Sequence, residues 1–284
     1  MTEGLPVQVA CRVLKVSVNG YYSWKKRPPS ARAIRHAMLA EVIGEVHDAS
    51  RQTYGARRVH AELVLGRGIT VARCTVELVM QRHGLAGLPG RPKFRKVPNQ
   101  PTASDLVDRQ FGRDQPDRLW VTDITEHPTR EGKVYCAVVL DTFSRRVVGW
   151  SIDTHPAATL VVNALGMAIE NRQPTDSTVI HSDQGTQFTS WAFTRRALDS
   201  GLTPSMGSIG DCYDNGLMES FWARMQVELF NRQRWRTRLE LANAIFEYLE
   251  IFHNRQRRHS SIGMLTPIEY ELRHANNTAR DQAS

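Results

Sequence analysis

Three carboxylates carry the most legible chemistry in this chain: Asp123 in L-W-V-T-D-I-T, Asp183 in T-V-I-H-S-D-Q-G-T-Q-F and Glu219 in D-N-G-L-M-E-S-F-W. The first two end or interrupt β-patterned runs, the third opens a helical run, and 35 residues separate Asp183 from Glu219. Hard oxygen ligands brought from distant segments to one point are what paired divalent cations need to promote displacement at a phosphodiester. The pattern is that of a two-metal phosphoryl-transfer site.

The chain has 29 acidic residues, so these three need a physical reason. Asp123 interrupts a β-branched and aromatic run, where an ionised carboxylate is costly unless a positive group compensates it. A bound cation fits; an Asp on the wet face of a half-exposed strand is the plain alternative. Asp183 ends a strand and precedes Gln184-Gly185, a junction where α/β proteins place reactive groups, although a turn or capping Asp has the same signature. Glu219 shares a helix face with Asn215, Trp222 and Gln226. Alone it would read as a surface acid; beside the other two it reads as a ligand. Asp141, next to Thr142 and Ser144, reads as a turn cap, and His181 as a packed histidine on the strand face of Asp183.

The elements that must position these groups form a strand, strand, strand, helix, strand, helix, strand, helix series. Residues 119–126, 134–141 and 147–152 read as an antiparallel meander. A helix over 156–171, a buried strand over 178–181, a helix over 190–200 and a strand over 202–206 follow. That order is the order of a ribonuclease-H-like α/β fold, assigned to residues 117–232, and residues 233–284 read as a C-terminal helix and Arg-rich tail.

Residues 1–86 are helical in pattern. Val9, Val13 and Val16 recur at helical spacing, as do Ile34, Met38, Val42 and Val46. The segment from Tyr54 to Leu63, a break at Gly66-Arg-Gly68 and a helix over 71–83 form a helix-turn-helix candidate, with Arg57, Arg58, Arg67 and Arg73 suited to phosphate contacts. Residues 87–116 read as a basic, Pro-rich linker in which Lys93, Arg95 and Lys96 can follow a nucleic-acid backbone.

Charge supports that division. Residues 1–104 carry 17 Lys and Arg against 6 Asp and Glu, a surplus of +11, while the remainder carries 20 against 23. A basic front beside an acidic rear suggests polyanion binding ahead of metal chemistry. At 284 residues, 41% hydrophobic and 23% charged, the chain reads as a soluble protein of about two domains. It has no apolar stretch of membrane-spanning length and no secretory leader pattern, so a cytoplasmic location is expected. Cys11, Cys74, Cys136 and Cys212 form no C-x-x-C pair, which argues against a zinc knuckle or a disulfide framework.

Taken together, W-V-T-D-I-T, D-T-F-S-R-R-V-V-G-W, H-S-D-Q-G-T-Q-F, D-C-Y-D-N-G-L-M-E-S-F-W and H-N-R-Q-R-R-H-S-S-I-G-M-L-T-P-I-E-Y resemble the integrase core of bacterial insertion-sequence transposases of the IS-three type, second-frame product. Y-G-A-R-R-V-H-A-E-L and V-M-Q-R-H-G-L resemble that family's helix-turn-helix segment. The resemblance implies a mixed five-stranded sheet with flanking helices behind a small all-α domain. It also implies two Mg²⁺ or Mn²⁺ ions on Asp123, Asp183 and Glu219, and DNA partners comprising terminal inverted repeats and target. Further implied are a homo-oligomer on DNA, in the bacterial nucleoid, and an upstream-frame product joined by frameshifting. Asn215 and Arg224 join the DNA-contact candidates, because Gln226 stands where the family usually has a basic residue. A nuclease of the same fold that cuts without joining, and a DNA-binding regulator, are the alternative readings.

Overall fold

The computed structural model describes residues 6–89, 113–175, 177–206 and 216–282. Lys93, Arg95, Lys96 and Asn215 lie outside the described residues.

The front is helical: α1 (Val7–Val13), α2 (Val18–Lys26), α3 (Ala31–Ala49), α4 (Ala56–Ala61) running into a π-helical turn, and α5 (Arg73–Arg82). In α3 the buried residues are Leu39, Ile43, Val46 and His47, whereas Ile34 and Met38 are exposed. The expected stripe of Ile34, Met38, Val42 and Val46 thus meets the core only at its second half, where Val46 is buried and Val42 packs against it. The helix carries apolar residues on more than one face, and contact with α4 and α5 selects among them.

Behind it lie β1 (Leu119–Thr129), β2 (Gly132–Asp141), β3 (Val147–Asp153), helix α6 (Ala158–Arg172), β4 (Val179–Ser182), helix α7 (Trp191–Asp199) and β5 (Thr203–Met206). The sheet order is β3-β2-β1-β4-β5. The meander β1, β2, β3 is antiparallel, and β4 and β5 join parallel through helical crossovers. The mixed five-stranded sheet expected from the sequence is present.

Strand alternation sorts side chains into two cores. On one face Trp120, Ala137, Val139, Val148 and Ile180 pack with α6 and α7. Gly149 lets α6 approach closely, since a Cβ there would collide with the Ala164 carbonyl and Ala168. On the other face Val121, Val138 and Leu140 pack with α8 (Gly216–Glu228), α9 (Arg238–Phe246) and the π-helical stretch Glu247–Gln256 that extends it. That second core also contains Leu39, Ile43, Val59, Leu63, Val76 and Val79 of the front helices. One apolar core therefore runs from the helical front to the sheet.

Within the segment expected as an Arg-rich tail, Arg257 and Arg258 are buried, and α10 (Pro267–Gln282) follows. A reciprocal capping box starts that helix: Glu269 N–H donates to Thr266 Oγ1 at 3.2 Å and Thr266 N–H to Glu269 Oε2 at 2.9 Å. Pro267 suits the first helical position, where its missing N–H would have had no partner within the helix. No helix among the described residues is long and apolar enough to cross a membrane.

Candidate active site

Asp123 lies in β1 opposite Val138 of β2, half-buried on the sheet face that meets α8. The parallel pairing of Val121 with His181 makes β4 the neighbour of β1, and Asp183 follows just past the end of β4. Asp183 is exposed, and its Oδ1 accepts the Gly185 N–H at 3.0 Å as the chain turns away from the sheet. Glu219 occupies the first turn of α8 and is exposed, while Met218, Phe221 and Met225 anchor that helix in the core.

Trp222 links the helix to the strand. Its indole Nε1 donates to Asp123 Oδ2 at 3.0 Å, and Asp123 Oδ1 accepts the Ile124 N–H at 2.7 Å. Since Glu219 and Trp222 are three apart, they lie on neighbouring parts of one helix face. The three carboxylates are of the right donor type for a divalent ion and come from neighbouring elements. They are not gathered into a coordination sphere: among the described residues no three His, Cys, Asp or Glu side chains form a group that could hold a metal ion.

The neighbours considered in the sequence have structural partners. Asp141 caps its turn, accepting from the Phe143 N–H at 3.2 Å and the Ser144 hydroxyl at 3.0 Å; burial pushes its carboxyl up to about 6. His181 is half-buried, with Nδ1 3.1 Å from Ser205 Oγ. Gln226 donates to Asn231 Oδ1 at 2.6 Å, so its amide is engaged within the chain.

The candidate DNA-contact arginines divide. Arg57 is exposed on α4, and Arg224 is exposed on α8. Arg73 is exposed and forms an i,i+4 pair with Glu77 at 3.3 Å; Arg67 pairs with Glu45 at 2.6 Å. Arg58 faces inward, over the Tyr54 ring and 3.5 Å from Glu228.

Glu228, at the far end of α8, is the centre of a buried ion network. Arg257 clasps it through Nε and Nη2, each at 2.7 Å, and Tyr248 donates its hydroxyl at 2.9 Å. Burial opposes the charge on Glu228, yet Arg257, Arg58 and Tyr248 together hold its carboxyl below the usual range. Next along, Arg258 bonds Glu62 of the front helices at 2.7 Å and Glu269 of α10 at 2.5 Å, and its N–H donates to the Tyr54 hydroxyl at 2.7 Å. The helix that bears Glu219 is thereby fastened to both the front helices and the C-terminal segment.

This architecture has known counterparts. An integrase core domain model matches residues 113–212, a second integrase core domain model matches 200–267, and an HTH-like domain model matches 34–93. The chain is 36% identical to the transposase for insertion sequence element IS629 of Shigella sonnei, over 95% of this chain and 93% of that protein. The chain belongs to the IS-three family of insertion-sequence transposases. A further member, transposase InsF for insertion sequence IS3A of Escherichia coli K12, is 33% identical over 93% of each chain. The putative transposase for IS986/IS6110 of Mycobacterium tuberculosis H37Rv is 36% identical over 91% of this chain and 95% of that protein.

Within this IS-three transposase, Asp123 and Asp183 fall in the segment matched by the first core model and Glu219 in that matched by the second. Sequence reasoning placed Trp222 on the face of Glu219 without a role; its hydrogen bond to Asp123 supplies one. The buried network of Arg257 and Glu228 left no signal, because its members come from separate elements.

Proposed function

We propose that this protein is the catalytic chain of a DNA transposase, in which Asp123, Asp183 and Glu219 hold divalent metal for cleavage at element ends and transfer of the 3′-hydroxyl to target DNA. The observation that carries this reading is the link from Trp222 to Asp123, which ties α8 to the strand whose neighbour ends one residue before Asp183. Divalent ions on such carboxylates supply Lewis-acid activation and charge stabilisation for in-line displacement at phosphorus. The chain's own groups set the donors: Trp222 and the Ile124 N–H hold the two oxygens of Asp123, and the Gly185 N–H holds Asp183.

In the joining step the terminal 3′-hydroxyl forms a new phosphoester bond with a target phosphate, and the target's own 3′-oxygen leaves. No covalent link to the protein is required. Exposed Arg57 and Arg224, with the basic front half, supply DNA contacts, and end recognition is shared with a second copy and an upstream-frame product. Asp123→Asn, Asp183→Asn and Glu219→Gln should each abolish Mg²⁺- or Mn²⁺-dependent cleavage and joining on labelled element ends while duplex binding persists. Strand transfer retained by any of the three would reject the assignment, and cleavage without joined products would identify a nuclease.

A further inference from the structure

Beside the candidate active site, on another face of α8, lies a cavity of about 290 Å³. Its walls include Arg58, Arg145, Arg224, Arg257, His259 and Ser261, and among the described residues no carboxylate lines it. Leu217, Ser220, Phe221 and Arg224 present the helix to it at i, i+3, i+4 and i+7, so the stripe next to Glu219 faces this space. Arg257 is buried, whereas Ser220, Arg224, Ser260 and Ser261 are exposed at the mouth.

Arg145 is the informative member. It takes a left-handed backbone conformation, φ 65°, uncommon for a residue with a Cβ. Hydrogen bonds from its N–H to the Asp141 carbonyl at 2.9 Å and from His253 Nε2 to its own carbonyl at 2.8 Å hold it there. Its Nη1 is buried with no hydrogen-bond partner. A buried guanidinium N–H without an acceptor calls for an explanation, and a bound anion supplies one. Asp141, whose charge acts on Arg145, has an oxygen committed to Phe143 and the other to Ser144.

The charged residues that line the cavity are all arginines. Glu228 answers Arg257 and Arg58, but among the described residues Arg224 has no carboxylate partner. His259 is held uncharged, first by burial and then by Arg257, His253, Arg58 and Arg145. The 3₁₀ turn Ser260–Ile262, closed by the bridge from His259 to Leu265, sets two hydroxyls at the rim. Guanidinium forks with hydroxyls and no acid match the acceptor oxygens of a phosphate.

We infer that this cavity is a phosphate-binding site, with Arg145 and Arg224 as its main ligands and Ser261 at its rim. The phosphate comes either from a DNA strand lying along α8, which rests on the transposase reading, or from a free phosphate in solution. The site explains why H-S-S-I-G-M-L-T-P accompanies the acidic motifs without contributing a carboxylate to them.

The test titrates the full-length protein, without metal, with inorganic phosphate, a 5′-phosphorylated oligonucleotide and its 5′-hydroxyl counterpart. All are read by thermal shift against chloride at equal ionic strength. At least one probe should stabilise the protein saturably and bind at least 10-fold more weakly to both Arg145→Gln and Ser261→Asp. Ser261 is exposed, so Ser261→Asp tests the site without disturbing the core. Stabilisation by inorganic phosphate marks the free anion as a source. A response to oligonucleotides alone marks the DNA strand, and a preference for the 5′-phosphorylated one marks its terminal phosphate. Equal affinities of the wild type and Ser261→Asp for every probe, or no response beyond chloride, would overturn the inference. Because no metal or turnover is involved, failure here leaves the Asp123→Asn test of catalysis standing, and failure there leaves this one.

Discussion

Trp222 Nε1 and Asp123 Oδ2 are 3.0 Å apart although their residues are 99 positions apart in the chain, so one side-chain hydrogen bond spans α8 and the central strand. Removing that donor should loosen the aim of Asp123 without removing the carboxylate. A hydrogen bond to a charged group contributes about 1.5–3 kcal/mol, so Trp222→Phe should lower the cleavage rate by roughly 10- to 100-fold. Rates at saturating DNA, set beside an unchanged dissociation constant for the element end, check this.

Breaking the buried pair of Glu228 and Arg257 should be costly for stability. Its geometry is bidentate and both partners are almost wholly buried. Removing one member of such a pair costs about 3–5 kcal/mol, because the other is left charged and unpaired. Glu228→Leu should therefore move the urea midpoint markedly lower, and a midpoint within error of the wild type would contradict the assigned role.

Gly149→Ala should also destabilise, by about 1–3 kcal/mol, since the added methyl meets helix backbone and not a side chain able to swing away. Thermal denaturation will show it. An increase in melting temperature would mean that α6 can retreat from β3.

Acid should weaken the fold before the carboxylates as a class are protonated. Burial, then Arg257, pushes His253 down to about 4, and His259 is likewise held well below its ordinary value. With folded values below the unfolded one of about 6.5, the unfolded chain takes up these protons first. Their contribution is complete above about 6.5 and is lost as pH falls toward about 4. Asp141 works the other way: raised to about 6, it binds its proton first in the folded state and offsets part of the loss below that pH. Melting temperature measured from pH 7 to pH 4.5 should fall, less steeply in His253→Gln.

Much of this was legible from local pattern. Alternation in L-W-V-T-D-I-T and V-Y-C-A-V-V-L-D located β1 and β2 within a few residues; Asp123 stood out because its segment gave it no reason to be charged, Asp183 by its place at a strand end, and Glu219 only in their company. What escaped depends on partners far away in sequence. Arg257 and Arg258 look like a basic tail until Glu228 and Glu62 are seen beside them, 29 and 196 positions earlier. Likewise α3 has apolar residues enough for two stripes, and only α4 and α5 decide that Leu39 and Ile43 go inward while Ile34 and Met38 stay out.

The apolar core shared by the front helices and the sheet bears on retargeting. A chimera that exchanged residues 31–83 for a foreign recognition module would take Leu39, Ile43, Val59, Leu63, Val76 and Val79 out of the core that also holds Val121 and Leu140, and would leave Arg258 with Glu269 but without Glu62. Under the proposed function, new specificity would be written on the outer surface of α4 and α5, at exposed positions such as Arg57, with the inward residues kept as found.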